Sequence, residues 1–307
     1  MSRQKDNPLD ELNRRLAVVR DRVRSVAIGG QNGFYLYGRA GTSKTFTVMQ
    51  TLAELGVPYY RHVGHLTEMG LFDLLAEQYD RVLVLDDVGE LFSASSRKAL
   101  QLLLAALGAS PDGSRTRPIH YKRLGQHRTV YFTGGIIFIS NLELSNTPVH
   151  DALKSRVQYL KYEPTDEQIA ALMYHVAAQG WPAGEPVLRP EECLEVAEFI
   201  VAESNRLDVR LDMRLLVDKA LPDYCLWRDD KTESHWRDLV RATMEERLVE
   251  LQDTSAEHLS RFAQKQAELQ IVREIRDAYE TREERAAAWK ARTGKSERAF
   301  YRRLKEL

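Results

Sequence analysis

The strongest constraint on the fold of this chain is an apolar run at residues 34–37 that leads directly into a glycine-containing loop and then a helix-forming stretch. The loop residues are Gly38, Arg39, Ala40, Gly41, Thr42, Ser43, Lys44 and Thr45. Small residues let backbone N–H groups converge on phosphate oxygens, and the start of the helix adds its positive end. We expect Lys44 to reach the β and γ phosphates of a nucleotide, and Thr45 to bind Mg²⁺. Ser43 stands where a glycine usually precedes the lysine, so the loop alone is also compatible with an ordinary turn.

Two adjacent carboxylates follow a second apolar run, at residues 82–85. A strand of a parallel sheet delivers such side chains to the sheet edge, beside a metal. We expect Asp86 to hold Mg²⁺ through water and Asp87 to polarise the attacking water, with Glu90 in reserve. A capping pair after a buried strand is the alternative.

Strand-like runs alternate with helical patterns through the first half of the chain. The predicted strands are residues 34–37, 59–63, 82–85, 136–140 and 157–162. This alternation predicts a parallel α/β sheet. The fourth run ends at Asn141, whose carboxamide could orient the attacking water.

Helical periodicity dominates the flanking regions. The apolar spacing predicts a helix over residues 8–26, before Gly29. After Pro164 the β pattern ends, and Thr165 with Gln168 forms a capping box for the first of several helices. Residues 229–280 alternate in charge sign and predict a helical connector.

The motifs GRAGTSKT, VLVLDD, IIFISN and ALKSRV, in this order, resemble the Walker A, Walker B, sensor 1 and arginine-finger motifs of the AAA+ superfamily. Arg214, in LDMRLL, is similar to the sensor 2 arginine of the AAA+ lid. The resemblance implies an α/β AAA+ P-loop fold with a parallel sheet and a helical lid, and Mg-dependent hydrolysis of ATP. It also implies that Arg156 acts on a neighbouring subunit's site, so the protein would assemble with itself as a hexameric ring or helical filament.

A basic insertion separates a helix predicted at residues 93–107 from the strand at residue 136. No Asp or Glu occurs from Gly113 through Leu142. Two extended runs, 118–123 and 128–132, predict a β-hairpin that resembles the pore hairpin of some AAA+ helicases and initiators. Lys122, Arg123 and Arg128 could follow a phosphate backbone. A solvated loop and a subunit contact are the alternatives.

The C-terminal segment combines two short helices around Gly294, the first with a capping box at Thr281 and Glu284 and the second capped by Ser296. In the second helix Phe300, Leu304 and Leu307 share one face. The opposite face carries Arg298, Tyr301, Arg302 and Lys305. This division resembles the recognition half of helix-turn-helix DNA-binding modules. A helical hairpin for oligomer or partner contact is the alternative.

These patterns divide the 307 residues into five segments. They are an N-terminal helix and linker (1–32), the nucleotide-binding α/β domain (33–163), a helical lid (164–228), the connector (229–280) and the helix-turn-helix-like segment (281–307). The N-terminus lacks an apolar signal region and no run of about 18 apolar residues occurs, which indicates a cytoplasmic protein without a membrane partner. Cys193 and Cys225 are too few for a disulfide framework. His62 and His65 lack the second ligand pair of a metal site.

Two functions of different kinds fit these motifs. The first is an ATP-dependent DNA-binding ATPase of the replication-initiator, helicase-loader or mobile-element transposition type, with a possible helicase or recombinase partner. The second is an AAA+ protein remodeller or scaffold whose C-terminal helices bind a partner protein. DNA-stimulated ATPase activity, or salt-sensitive DNA binding that depends on ATP, discriminates between them.

Overall fold

The computed structural model describes residues 7–93, 96–110, 113–123, 126–181, 187–279 and 281–304. Side chains are described for these residues except 123, 126 and 247–267. The chain forms two compact units, Met1–Arg237 and Asp238–Leu307.

A five-stranded parallel sheet forms the centre of the first unit, in the order β2-β3-β6-β1-β7. The strands in chain order are β1 (Gly33–Tyr37), β2 (Tyr59–Val63), β3 (Val82–Asp86), β4 (Arg117–Arg123), β5 (Gln126–Phe132), β6 (Ile136–Ser140) and β7 (Gln158–Lys161). All five predicted strands are confirmed. In register, Tyr37 lies opposite Ser140, and Asp86 lies opposite Ile139. The loops after β1, β3 and β6 therefore leave from one edge of the sheet, which brings the three polar motifs together.

The central strands β1, β3 and β6 are buried along their whole length, whereas the edge strands β2 and β7 are partly exposed. Helices cover both faces, which explains why the central strands are continuous apolar runs rather than alternating ones. One face packs on residues such as Leu71, Phe72 and Leu103. The other packs on residues such as Val19 and Leu52.

The helices of the α/β domain are α1 (Pro8–Ala27), α2 (Lys44–Leu55), α3 (Glu68–Glu77), α4 (Arg97–Ala106) and α5 (Pro148–Lys154). The predicted helix 8–26 is confirmed as α1, whose apolar stripe is buried. Helix α4 begins later than the predicted residue 93, after a 3₁₀ turn at Gly89–Phe92. The hydroxyls of Ser93 and Ser96 hydrogen-bond each other, and that of Ser96 donates to the Glu90 carbonyl. Such local bonds compete with an earlier helix start.

After the sheet come α6 (Asp166–Ala177), α7 (Pro190–Leu207), a π-helical stretch (Leu215–Ala220) and α8 (Leu221–Arg228). The predicted capping box is confirmed at the start of α6, where the side chains of Thr165 and Gln168 each accept the other's backbone N–H. Helix α6 and the π-helical stretch, with the residues just before it, supply the second wall of the cavity described below.

The predicted hairpin is confirmed as the antiparallel pair β4 and β5. Its base is part of the core, because Ile119, Val130 and Phe132 are buried against α3 and α4. Arg117 is also buried there and bonds the Asn32 side chain and the Gly134 carbonyl.

The second unit is helical, with most of α9 (Trp236–Ala278) followed by α10 (Arg282–Thr293) and α11 (Glu297–Leu304). A small apolar cluster, made of Val272, Ile275, Trp289 and Phe300, holds the three helices together. Gly294 ends α10 in the left-handed conformation, at φ 70°. Across the described ranges, none of the helices is both long and apolar enough to cross a membrane.

Candidate nucleotide and nucleic-acid sites

The loop after β1 has the tight backbone that a phosphate site needs. Gly41 adopts φ 70°, and a Cβ there would lie 2.3 Å from the Asp212 Cβ. Ser43, where glycine was expected, adopts the left-handed conformation at φ 65°. A side chain in this region costs on the order of 1–2 kcal/mol. The sequence departure therefore falls on a position that strains the backbone, while the helix α2 still starts at Lys44.

Lys44 is almost fully buried at the centre of this loop. Its ammonium donates to the carbonyl oxygens of Gly38 at 2.7 Å and Arg39 at 2.6 Å, and to Asn141 Oδ1 at 3.1 Å. Burial lowers the pKa of Lys44 to about 8, although the nearby Asp87 carboxylate opposes this shift. A phosphate would supply the counter-charge that carbonyl oxygens provide only in part.

The predicted magnesium ligands are brought together. The Thr45 hydroxyl donates to Asp86 Oδ2 at 3.1 Å, and Asp86 is 3% exposed. Hydroxyl and carboxylate oxygens are hard ligands that suit Mg²⁺, which usually takes one or two carboxylates, phosphate oxygens and water. The described residues contain no group of three or more His, Cys, Asp or Glu that could hold a metal ion. The donor set thus fits a metal that arrives with a nucleotide.

Arg61 is a neighbour of this carboxylate that the sequence analysis missed. From β2 its guanidinium donates to Asp86 Oδ2 through Nη2 at 2.6 Å and Nε at 3.1 Å. The only sequence signal was its place in a predicted strand, since the pairing of β2 with β3 could not be read from the spacing.

Asn141 links the cation and the carboxylate of the site. While its Oδ1 accepts from Lys44, its Nδ2 donates to Asp87 Oδ1 at 3.1 Å. Asp87 adopts φ 53°, a left-handed conformation that turns the chain away after β3. Glu90, the reserve base, is exposed and paired with His65. Asp87 lines the cavity and Glu90 does not.

These side chains open on a cavity of about 420 Å³ between the sheet edge and the helices after residue 164. This volume is within the roughly 300–1,000 Å³ of small-molecule sites. Arg214, predicted from the lid motif, lines it together with Met213 and Val217. The apolar end is formed by Leu16, Phe46, Leu172 and Val176, which the sequence analysis had not assigned to the site. Helical periodicity marks these positions equally well as core.

Arg156 lies away from this cavity. It is exposed after α5, where its guanidinium donates to the Ala152 carbonyl at 2.7 Å. It is not among the residues that line the cavity of its own chain. That location is compatible with a role at a neighbouring subunit.

The basic residues of the hairpin differ in their surroundings. Lys122 is exposed. Arg128 pairs with Asp73 at 2.9 Å and lies over the Phe72 ring, 4.8 Å from its centroid. The side chain of Arg123 lies outside the described residues. One of the three predicted phosphate contacts is thus already neutralised by a carboxylate.

On helix α11, Arg298 and Arg302 are exposed on one side, as predicted. Tyr301 is half-buried between Phe300 and Arg282, with ring and guanidinium separations of 5.2 and 5.4 Å. Lys305 and Leu307 lie outside the described residues.

The chain matches no protein-family model and no curated protein sequence. Solved structures do resemble it. The Holliday junction branch migration motor RuvB of Thermotoga maritima matches 77% of this chain and 68% of its own, with 15% identity and a TM-score of 0.44. A variant of that RuvB matches 77% of this chain and 69% of its own, with 16% identity and a TM-score of 0.45. PCH-2 of C. elegans matches 78% of this chain and 70% of its own, with 14% identity and a TM-score of 0.40.

The order and location of the motifs in the structure agree with the resemblance to the AAA+ superfamily. The glycine-containing loop, the aspartate pair and Asn141 leave the same edge of one parallel sheet, and Arg214 faces them from the helices that follow. The chain has a mixed α/β fold around a parallel five-stranded sheet, with these motifs placed as their resemblance to the AAA+ superfamily implies.

Proposed function

We propose that this protein binds and hydrolyses Mg-ATP at the cavity beside Lys44. The observation that carries the proposal is the convergence of Lys44, Thr45, Asp86, Asp87 and Asn141 on one cavity. Lys44 and the loop N–H groups would hold the β and γ phosphates, and Thr45 with Asp86 would hold Mg²⁺. The metal would neutralise the phosphate charge when bound. Asp87, oriented by Asn141, would accept a proton from the attacking water.

Two arginines would complete the reaction. Arg214 faces the cavity from its own chain and would contact the phosphates. Arg156 would stabilise the transition-state charge at the site of an adjacent subunit, so a homo-oligomeric ring or filament would be the active form. The exposed location of Arg156, outside its own cavity, supports this part.

We further propose that the protein acts on DNA in the cytoplasm, as an initiator, helicase loader or transposition-type ATPase. The exposed pair Arg298 and Arg302 on α11, and Lys122 on the hairpin, would contact phosphates. In this proposal the chain has the five segments predicted from the sequence, and residues 281–307 are the DNA-binding segment.

One observation favours the alternative, a protein remodeller or scaffold. Several cations of the C-terminal segment are already paired with carboxylates: Arg282 with Glu297, Arg292 with Glu274, and Lys295 and Arg303 with Glu268. Fewer basic groups are thus available for phosphate than the sequence alone indicates.

DNA binding by full-length protein with ATP tests the choice, measured by fluorescence anisotropy on labelled duplex across a salt series. The double change Arg298→Ala, Arg302→Ala should weaken binding and lower the slope of log affinity against log salt by about two, roughly one per phosphate contact. Arg292→Ala is the matched control, because it removes a cation of the same helix pair that Glu274 neutralises. An equal loss per removed cation in the two variants would indicate a general charge effect. No DNA binding by wild-type protein would favour the remodeller.

A further inference from the structure

Arg39, inside the phosphate-binding loop, directs its side chain away from the cavity. Its guanidinium Nη2 donates to Asp166 Oδ1 at 2.9 Å, and the side chain is only 17% exposed. Asp166 lies in the first turn of α6, 127 positions further along the chain. A cation in this loop would be expected to serve the phosphates, yet here it contacts the lid.

The same carboxylate oxygen also holds the segment that carries Arg214. Asp166 Oδ1 accepts the backbone N–H of Leu211 at 3.2 Å. Two residues later, the backbone N–H of Met213 donates to the Gly41 carbonyl of the loop at 2.8 Å. Asp166 is therefore the junction between the loop cation and residues 211–215.

Asp212 also packs against the loop, at Gly41. The Asp212 Cβ lies so close to Gly41 that a side chain at position 41 would collide with it. Its Oδ1 accepts the backbone N–H of Leu215 at 2.9 Å, which sets the start of the π-helical stretch. The lid segment and the loop thus meet through an ion pair, backbone hydrogen bonds and close packing.

Arg214 leaves from the middle of this segment and faces the phosphate site. It lines the same cavity as Lys44, and its positive charge contributes to the lowered pKa of Lys44, after burial. A shift of residues 211–215 would move its guanidinium with them. A displacement of about 1 Å can cost a catalytic group much of its effect.

We propose that Arg39 is a positioning residue that, through Asp166, holds the lid segment on the loop and so keeps Arg214 at the phosphate site. This inference rests on the proposed function, since it assigns a role within the same nucleotide site. It predicts that loop and lid move together when nucleotide enters or leaves.

The test compares full-length Arg39→Gln, Asp166→Asn, the two combined, and the exchanged pair Arg39→Asp with Asp166→Arg. Stopped-flow release of a fluorescent ADP is measured alongside kcat and KM.

Each single change should speed ADP release by about 3- to 10-fold and lower kcat, because a half-buried charged hydrogen bond is lost. The double change should be no worse than either single one, and the exchanged pair should recover part of the loss. Arg210→Gln is the control, since this arginine directly precedes Leu211 but pairs with Glu163, at 4.0 Å, instead of with Asp166.

The value of kcat in a second background separates a positioning role of Arg39 from a general contribution to the stability of the fold. In an Arg214→Ala background, Arg39→Gln should cause no further loss of kcat, because the group that it positions is already absent. An equal loss in both backgrounds would overturn the proposal.

The direction of the Asp166→Asn effect is equally decisive. If Arg39 were a phosphate ligand restrained by Asp166, this change would free it and slow ADP release. Slower or unchanged release contradicts the positioning role. Failure of the wild-type protein to bind the fluorescent nucleotide would refute the nucleotide site itself, whereas normal wild-type binding with unaffected variants refutes only the role of Arg39.

Discussion

Asp86 Oδ2 accepts hydrogen bonds from both Thr45 and Arg61. Magnesium would require the same carboxylate, so Arg61 and the metal would compete for one buried negative charge. The Arg61 side chain is 41% exposed and lies on an edge strand, which leaves it room to move aside. Metal binding at this site would therefore include the cost of displacing the Arg61 guanidinium from Asp86.

Arg61→Ala should lower the Mg²⁺ concentration that gives half-maximal ATPase activity by about 3- to 10-fold, because Asp86 loses its competing partner. A magnesium titration at fixed ATP measures this. Arg24→Ala is the control, since Arg24 has a similar exposure of 44% and pairs with Asp21 on the surface of α1. An unchanged or higher magnesium requirement in Arg61→Ala would show that the two cations do not compete.

Lys44→Ala and Asp87→Asn should separate binding from turnover. The first removes the buried counter-charge of the phosphates and should abolish tight nucleotide binding. The second keeps the hydrogen-bonding shape beside Asn141 but removes the base, so binding should persist while hydrolysis stops. Equilibrium binding of a fluorescent nucleotide and phosphate release are the two measurements. Normal hydrolysis by Asp87→Asn would make Glu90 the preferred base, despite its exposed pair with His65.

A buried carboxylate links helices α9 and α11 of the second unit. Glu268 on α9 accepts from Lys295 and from Arg303 Nε, the latter at 2.8 Å, and is 7% exposed. Desolvation opposes its ionisation, but the hydrogen bonds from Lys295 and Arg303 outweigh this and hold its pKa below the usual value. Beside it, Trp289 and Phe300 are fully buried. The position of α11, and with it the direction of Arg298 and Arg302, depends on both contacts.

Glu268→Gln should destabilise the α9–α11 cluster by about 1–3 kcal/mol, because the partly exposed cations of Lys295 and Arg303 lose a buried counter-charge. Hydrogen exchange of α10 and α11 amides measures the local loss. Glu274→Gln is the control, since Glu274 pairs with Arg292 at the surface. Equal exchange in both variants would argue against a structural role for the buried group.

Acid should reproduce part of this effect in the wild type. The ionised Glu268 stabilises the folded state above its usual pKa of 4.5. Because its folded pKa is lower, that contribution declines as the pH falls below 4.5 and is lost once the folded value is passed. Glu268→Gln should lack this component of the acid dependence.

In the assembled protein, Arg156 and Lys44 would belong to different subunits of each active site. Arg156→Ala should leave nucleotide binding intact and reduce turnover by a large factor, since arginine fingers contribute about 10³ to 10⁵ in rate. Mixing Arg156→Ala with Lys44→Ala subunits should restore part of the activity, at interfaces that combine the intact lysine of one with the intact arginine of the other.

Electron microscopy with a slowly hydrolysed ATP analogue, with and without duplex DNA, shows whether the mixed assemblies form. Assemblies that form but regain no activity would contradict action between subunits. Arg156→Ala with normal turnover would leave the arginine as a surface residue.

Contiguous motifs were enough to predict the parallel sheet, the tight loop between β1 and α2, and the hairpin. A strand that leads into a small-residue loop and a helix is a local pattern, and parallel strands bring their carboxyl ends to one edge. The capping boxes at Thr165 and Thr281 are equally local, and both are present. For the same reason the sequence predicted Asp86, Asp87 and Asn141 at strand ends, and all three line the cavity.

Partners far apart along the chain required the tertiary structure. Arg61 meets Asp86 across 25 positions because β2 pairs with β3, and Arg39 meets Asp166 across 127 because α6 returns to the loop. Charge spacing marks such residues only as polar, since an ion pair depends on where two elements pack. The neutralisation of Arg128 by Asp73, and of Lys295 and Arg303 by Glu268, was hidden for the same reason. Local chemistry is encoded by neighbouring residues, whereas the partner of each charge is decided by packing.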